Sequence, residues 1–278
     1  MMTKKRPSLL LACVMFGLGC ATVEGGPEFS PPDLARPTRF GFVRLGSSSV
    51  TSGPDTYEQT MATALFYDSS VANPVCVRRE YGPCVTYRCG ALKGVPSAGD
   101  IKIKGSPEDV VLAPNTDGAY PEYRNTAQLL FQRGQALTIE ATGKDLPAFS
   151  TPVTFPSSAF ALKSPSPARI DLTWLLKRTQ DLMLTWTPLV DESSVRIELS
   201  QDVGSNQSVF AECSFPGNLG TATVPANVLG EFQTTVGISH VLGVLVGPGT
   251  ETKLSIPHWD LSVYTIGVGR TGIAILTE

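Results

Sequence analysis

Four cysteines in the body of this 278-residue chain, Cys76, Cys84, Cys89 and Cys213, are the side chains best suited to covalent chemistry. Outside a reducing cytosol such thiols pair as disulfides, and four of them allow three pairings. Cys76 and Cys84 flank Tyr81-Gly82, so a hairpin turn there would set them opposite each other. Cys76–Cys84 is the favoured pair, and Cys89–Cys213 would then bridge two halves of the body. Cys84 and Cys89 are five positions apart, which on one continuous strand turns them to opposite faces. A metal site is disfavoured, because no C-x-x-C spacing and no neighbouring His accompany these cysteines. No metal and no cofactor is expected.

The remaining candidates for chemistry are sparse. The two histidines, His240 and His258, sit in neither an H-x-H nor an H-E-x-x-H pattern, and no G-x-S-x-G elbow is present. In His258-Trp259-Asp260 adjacent side chains of a strand would point to opposite faces. A β-sandwich hydrolase would need one of these histidines beside a carboxylate in a cleft; the expectation is that the protein is not an enzyme. Gly267-Val268-Gly269-Arg270-Thr271-Gly272 fits G-x-G-x-x-G literally. No helix to hold a pyrophosphate and no acid some 20 residues on are expected after it, so it reads as a hairpin turn between Ile266 and Ile273. Asn115-Thr116-Asp117-Gly118 reads as a turn rather than half a calcium loop. Tyr120 and Tyr123, set in an expected loop, are the weak candidates for stacking on a sugar ring.

The N-terminus carries a different kind of chemistry. Lys4, Lys5 and Arg6 precede an apolar run from Leu9 to Leu18, and small residues lead to a cysteine, Gly17-Leu18-Gly19-Cys20. That order is the layout of a secretory signal, and the run is too short for the roughly 20 apolar residues that span a bilayer. The segment resembles the bacterial lipoprotein signal, whose lipobox ends in a cysteine that is lipidated and becomes the first residue. Two positions compete for that role. Leu10-Leu11-Ala12-Cys13 matches the box more closely but leaves a very short apolar run, whereas Cys20 leaves one of normal length. The resemblance implies a signal over residues 1–19 and lipidation at Cys20, with Cys13 as the alternative. Residues 20–38, rich in Gly, Pro and polar side chains, read as a flexible tether. Ala21, rather than Asp, after the lipidated cysteine points by analogy to the outer membrane.

The composition of the body suits short strands and turns. The chain is 42% hydrophobic but only 17% charged, with 26 Gly and 22 Pro, and no segment beyond Phe40 carries a long helical period. Met61–Tyr67 is an apolar run fit for a central strand. Residues 101–104, 136–141 and 195–199 alternate, and turn signals separate them from their neighbours. The expectation is an all-β fold of two sandwich-like domains, 39–156 and 169–278, joined by a Ser/Pro-rich linker over 157–168. The second domain is expected to be immunoglobulin- or fibronectin-III-like, with Trp186 in its core. The net charge of −3 becomes −6 once residues 1–19 are removed, which offers no attraction to nucleic acid.

The body also resembles a group of envelope lipoproteins of the myxobacterial type. The residues that carry the resemblance are Gly82-Pro83-Cys84 with Cys89, Pro147-Ala148-Phe149, Asp181 through Trp186, and Cys213 through Ala226. It implies a cell-envelope lipoprotein and carries over no functional residue. The expected function is therefore that of an exported, membrane-anchored lipoprotein with a non-enzymatic binding, adhesion or structural role, its partner an envelope protein or a glycan. A carbohydrate-binding module is the alternative.

Overall fold

A computed structural model describes residues 39–52, 55–68, 70, 76–90, 94–125, 129–165, 173–190, 194–204, 207–236 and 239–278. The signal, the tether, Cys13 and Cys20 lie outside the described residues. In chain order the strands are β1 (Arg39–Ser52), β2 (Asp55–Asp68), β3 (Val77–Tyr81), β4 (Cys84–Cys89), β5 (Ile101–Lys104), β6 (Val110–Leu112), β7 (Tyr123–Asn125), β8 (Ala136–Ala141) and β9 (Phe149–Thr154). They continue with β10 (Leu162–Ser164), β11 (Thr173–Lys177), β12 (Leu182–Trp186), β13 (Ser194–Gly204), β14 (Gln207–Pro216), β15 (Thr221–Val224), β16 (Leu242–Ile256) and β17 (Trp259–Thr277). One helical turn, α1 (Ala226–Leu229), follows β15. The expected all-β class is found.

Ten strands build one large sheet in the order β3-β4-β14-β13-β16-β17-β1-β2-β7, with β11 also pairing to β17. Two small sheets, β10-β12-β15 and β6-β5-β8-β9, complete the sandwich-like arrangement. The alternation of side chains decides how they pack. Val195, Ile197 and Leu199 of β13 enter one apolar core together with Leu184 and Trp186 of β12 and Val224 of β15. Val43 and Leu45 of β1 and Val263 of β17 enter a second core with Ile101, Ile103 and Ile139 of the four-stranded sheet. The same face of the large sheet is thus covered twice, by a different small sheet at each end.

The C-terminal sandwich has an immunoglobulin-like topology. In chain order β10, β12 and β15 form one sheet, and β13, β14, β16 and β17 form the other, with β11 running parallel to β17. Trp186 is 1% exposed in its core, and its indole N–H donates to the Gly217 carbonyl at 2.7 Å. Removing such a side chain costs about 3–5 kcal/mol.

Two expectations about organisation are corrected. Residues 157–168 do not divide the body into successive domains: β1, β2 and β4 from before them share a sheet with β13, β14, β16 and β17 from after them. The 15-residue β16 and the 19-residue β17 are long enough to run through both sandwiches. The segment itself contains β10, and Phe160 and Leu162 pack on the C-terminal core. Nor is Gly267–Gly272 a hairpin turn. It lies inside β17, where a bulge sets three residues of β17 against two of β16 between the pairs Val246–Arg270 and Gly249–Ile266. A Cβ on Gly269 would sit 2.3 Å from the Val246 carbonyl oxygen. The glycine answers a close backbone approach rather than a turn.

Bulges increase twist and bend a sheet, and the large sheet curls strongly. Strands β1 and β14 are four steps apart in the sheet order, about 19 Å if it were flat. The rings of Phe42 on β1 and Phe210 on β14 are nevertheless 6.2 Å apart. Phe40 on β1 and Tyr87 on β4, one step farther, are 5.2 Å apart. The face turned away from the small sheets is therefore concave and partly closed on itself.

Candidate functional site

The concave face is lined by the other half of each alternating strand. Where Val195, Ile197 and Leu199 point to the core, Arg196, Glu198 and Ser200 point inward; where Val43 and Leu45 point to the core, Phe42 and Arg44 point inward. An aromatic layer of Phe42, Phe210, Tyr87 and Tyr264 crosses the interior, with Tyr87 stacked on Phe210 at 4.6 Å. On one side of it lies a cavity of about 550 Å³ lined by residues that include Arg44, Gln59, Met61, Thr63, Glu198, Leu245 and Thr271. A smaller cavity of about 230 Å³ on the other side includes Arg78, Arg196, Glu251, Lys253 and Tyr264. Glu212 borders both.

Two buried ion-pair systems occupy this interior. The Arg44 guanidinium donates through Nη1 to Oε2 of Glu198, whose side chain is 7% exposed. Burial works against the charge on Arg44, but the carboxylates of Glu198, Glu212 and Glu122 more than offset it and hold its pKa above the ordinary value. Arg196, 3% exposed, donates through Nη2 to Glu212 at 3.3 Å, lies 3.9 Å from Glu251 and stacks 4.0 Å over the ring of Tyr264. Burial pushes the carboxyl of Glu212 up to about 7; Arg196 pulls it down and Glu198 pushes it up. Burial, then the nearby Glu212 and Glu251, raise the phenol of Tyr264. Burial leads the rise of Glu212, and the neighbouring carboxylates Glu198 and Glu251 add to it against the pull of Arg196 and Arg44.

The geometry leaves polar atoms without partners. Nε of Arg44, Oε1 of Glu198 and Oγ1 of Thr271 are buried and unbonded, and all three residues line the larger cavity. A buried donor or acceptor left unmade costs about 1–3 kcal/mol, and none of these three atoms is open to the cavity itself.

The side chains proposed from sequence lie elsewhere. Tyr120 is not an exposed platform: it is 6% exposed in the second core. Its hydroxyl accepts from the Ala98 N–H at 2.8 Å and donates to the Gly99 carbonyl at 2.7 Å. Tyr123, on β7, packs against the same core. His240 Nδ1 is 3.2 Å from the backbone carbonyl of Asp202, His258 is exposed between β16 and β17, and neither lines either cavity. Asn115 Oδ1 accepts from the Asp117 and Ala119 N–H groups, which is the turn expected there.

The disulfides are Cys76–Cys89 and Cys84–Cys213, not Cys76–Cys84. The β3–β4 turn is the two residues Gly82-Pro83, which pairs Tyr81 with Cys84 and Val77 with Arg88. That register carries Cys76 toward Cys89. Cys84 and Cys89 do face opposite sides, Cys84 in the C-terminal core and Cys89 among Phe40, Tyr67 and Tyr87. Cys84–Cys213 joins directly opposed residues of β4 and β14. It fixes the β3–β4 hairpin to the C-terminal sandwich, where Arg79, Tyr81 and Arg88 also clamp Glu231 just after α1.

Arg44, Arg196, Glu198 and Glu212 were not singled out by sequence, because a strand such as Val195–Leu199 alternates identically whether its polar face meets water or a second polar face. No family model matches the chain, and no curated protein does. The chain is similar to the crystal structure of a tetra-tandem repeat in the extending region of a large adhesion protein, at 11% identity and a TM-score of 0.17. That likeness covers 85% of this chain and 74% of the other, and its score is too low to carry an argument.

Proposed function

We propose that this is an exported, lipid-anchored protein of the cell envelope that binds rather than transforms its ligand, with the outer membrane as its location. The observation that carries the binding role is the cavity of about 550 Å³ on the concave face, lined by the Arg44–Glu198 ion pair. Its size falls within the roughly 300–1,000 Å³ of small-molecule sites. The two disulfides support an oxidising compartment, in keeping with the signal-like start and Cys20. Among the described residues no helix is long and apolar enough to cross a membrane, and in this reading the lipid supplies the attachment.

The test is fractionation of cells expressing the full chain, with intact-mass measurement of the mature protein. The expected result is a diacylated or triacylated chain beginning at Cys20 in the outer-membrane fraction, released to the soluble periplasm by Cys20→Ala. An unprocessed chain in the cytosol would defeat the reading.

A further inference from the structure

Resting on the binding role proposed above, we propose that the larger cavity of the concave face takes an organic ammonium ion, its charge set against the open carboxyl oxygen of Glu212 and its hydrocarbon part against Phe42 and Phe210. The side chain of Glu212 is 10% exposed, and its Oε2 accepts from Arg196 at 3.3 Å. Its Oε1 accepts no hydrogen bond and, unlike the closed atoms of Arg44, Glu198 and Thr271, is open to the interior space. The ion pairs around it are one positive charge short. Arg44 is closed on Glu198 and Arg124 on Glu122, whereas the single guanidinium of Arg196 serves both Glu212 and Glu251. Among the described residues lining the larger cavity, the carboxyls of Glu122, Glu198, Asp202 and Glu212 outnumber the guanidiniums of Arg44 and Arg124. Both guanidiniums are already paired, so an anion meets no free positive charge there.

The two cavities differ in what they admit. In the smaller one Arg78, Arg196 and Lys253 balance Glu212, Glu251 and Asp260. The larger one has the surplus of carboxyls and also presents the rings of Phe42 and Phe210 beside Met61 and Leu245. An ammonium over an aromatic face is attracted by the ring quadrupole, and the apolar side chains take its hydrocarbon part. Burial, ahead of the nearby carboxylates, holds the Glu212 carboxyl up to about 7. An ammonium beside it favours the carboxylate, so the proton leaves to solvent as the ligand enters. Arg78 of β3, Tyr87 of β4, Lys253 of β16 and Asp260 and Tyr264 of β17 also face this interior, and none is hydrogen-bonded or ion-paired to Glu212.

The experiment uses the mature lipidated protein in a nonionic detergent. Calorimetric titration is run at pH 6 and pH 8, in two buffers of different ionisation enthalpy, with choline, spermidine and 1,5-diaminopentane. Pentane-1,5-diol and glutarate serve as neutral and anionic probes of the same length as the diamine. At least one ammonium probe should bind, about tenfold more tightly at pH 8 than at pH 6, with close to one proton released per ligand at pH 6. Glu212→Gln should weaken binding at pH 8 at least tenfold and abolish the proton release. Thr63→Trp, which fills the cavity from β2, should weaken it comparably. Silence from every ammonium probe, equal binding of the diol or glutarate, or binding that neither pH nor Glu212→Gln alters would each overturn the inference. Its failure is distinct from failure of the binding and envelope readings. Saturation by the diol or glutarate alone keeps a binding cavity and sinks only the ammonium, and an unprocessed cytosolic chain sinks only the location.

Discussion

Arg44 on β1 and Glu198 on β13 are separated in the sheet by β17 and β16, yet their side chains form an ion pair across the concave face. The pair exists because the sheet curls, and it lies among groups that have little water to replace a lost partner. Removing one member strands the other: Glu198→Ala or Arg44→Ala should destabilise by about 3–5 kcal/mol. The double variant Arg44→Met/Glu198→Leu should lose much less than the sum of the two. Denaturant unfolding of the four proteins checks this, and additive losses would show that the two residues do not interact.

Glu212 makes stability depend on pH in an uncommon direction. Its carboxyl titrates near 7 in the folded chain against 4.5 as the ordinary value. The folded state therefore binds more protons than the unfolded state between those values. Stability from this group is fully present below about pH 4.5 and is lost as pH rises through 7. The loss is about 3 kcal/mol, or roughly 5–10 °C in thermal midpoint for a body of this size. Glu212→Gln should flatten the profile between pH 5 and 8 and raise the midpoint at pH 8. The groups facing Glu212 are Arg44, Arg196, Glu198, Glu251, Tyr87 and Tyr264. A wild-type midpoint that rises from pH 5 to 8, or a profile that Glu212→Gln leaves unaltered, would contradict the assignment.

Glu231 acts with the opposite sign. Burial opposes its charge, but hydrogen bonds from Tyr81 and Arg79 hold its carboxyl below the ordinary range. Its contribution is present above the unfolded value and is lost as pH falls through the folded one. Glu231→Gln should therefore reduce stability at pH 6, and the difference from wild type should shrink as pH falls below the ordinary carboxylate range. Hydrogen exchange should show that the opening concentrates in the β3–β4 hairpin.

Tyr120 is a structural residue. Tyr120→Phe leaves the Ala98 N–H without its hydroxyl acceptor and should cost about 1–3 kcal/mol. Chemical denaturation of the variant beside wild type checks this, and an unchanged midpoint would contradict it.

Gly269 sits in the bulge between β16 and β17. Gly269→Val forces a side chain toward the Val246 carbonyl and should destabilise by at least about 2 kcal/mol. Chemical denaturation checks this, and a neutral result would mean that the bulge relaxes freely.

Much of the local structure was legible in the sequence. The alternation of Ile101–Lys104, Ala136–Ala141 and Val195–Leu199 identified strands, and Trp186 identified an immunoglobulin-like core. Long-range pairing was not legible, because nothing local to β1 says that it will run parallel to β17, more than 200 residues later. The site went unseen for the same reason, since its charged residues face one another only after β1 and β13 are brought together. The cysteine pairing was within reach. A two-residue turn at Gly82-Pro83 sets Cys76 against Cys89, and placing the turn at Tyr81-Gly82 pointed to the wrong partner.

The claim on which the rest depends is that the two halves of the body share one sheet, closed at β4 and β14 by Cys84–Cys213. Trypsin separates all four body cysteines, into peptides 45–78, 80–88, 89–93 and 197–253. Mass spectrometry of an unreduced digest should find 80–88 joined to 197–253, and 45–78 joined to 89–93. Finding 45–78 joined to 80–88, with 89–93 joined to 197–253, would contradict the sheet order and the site built on it.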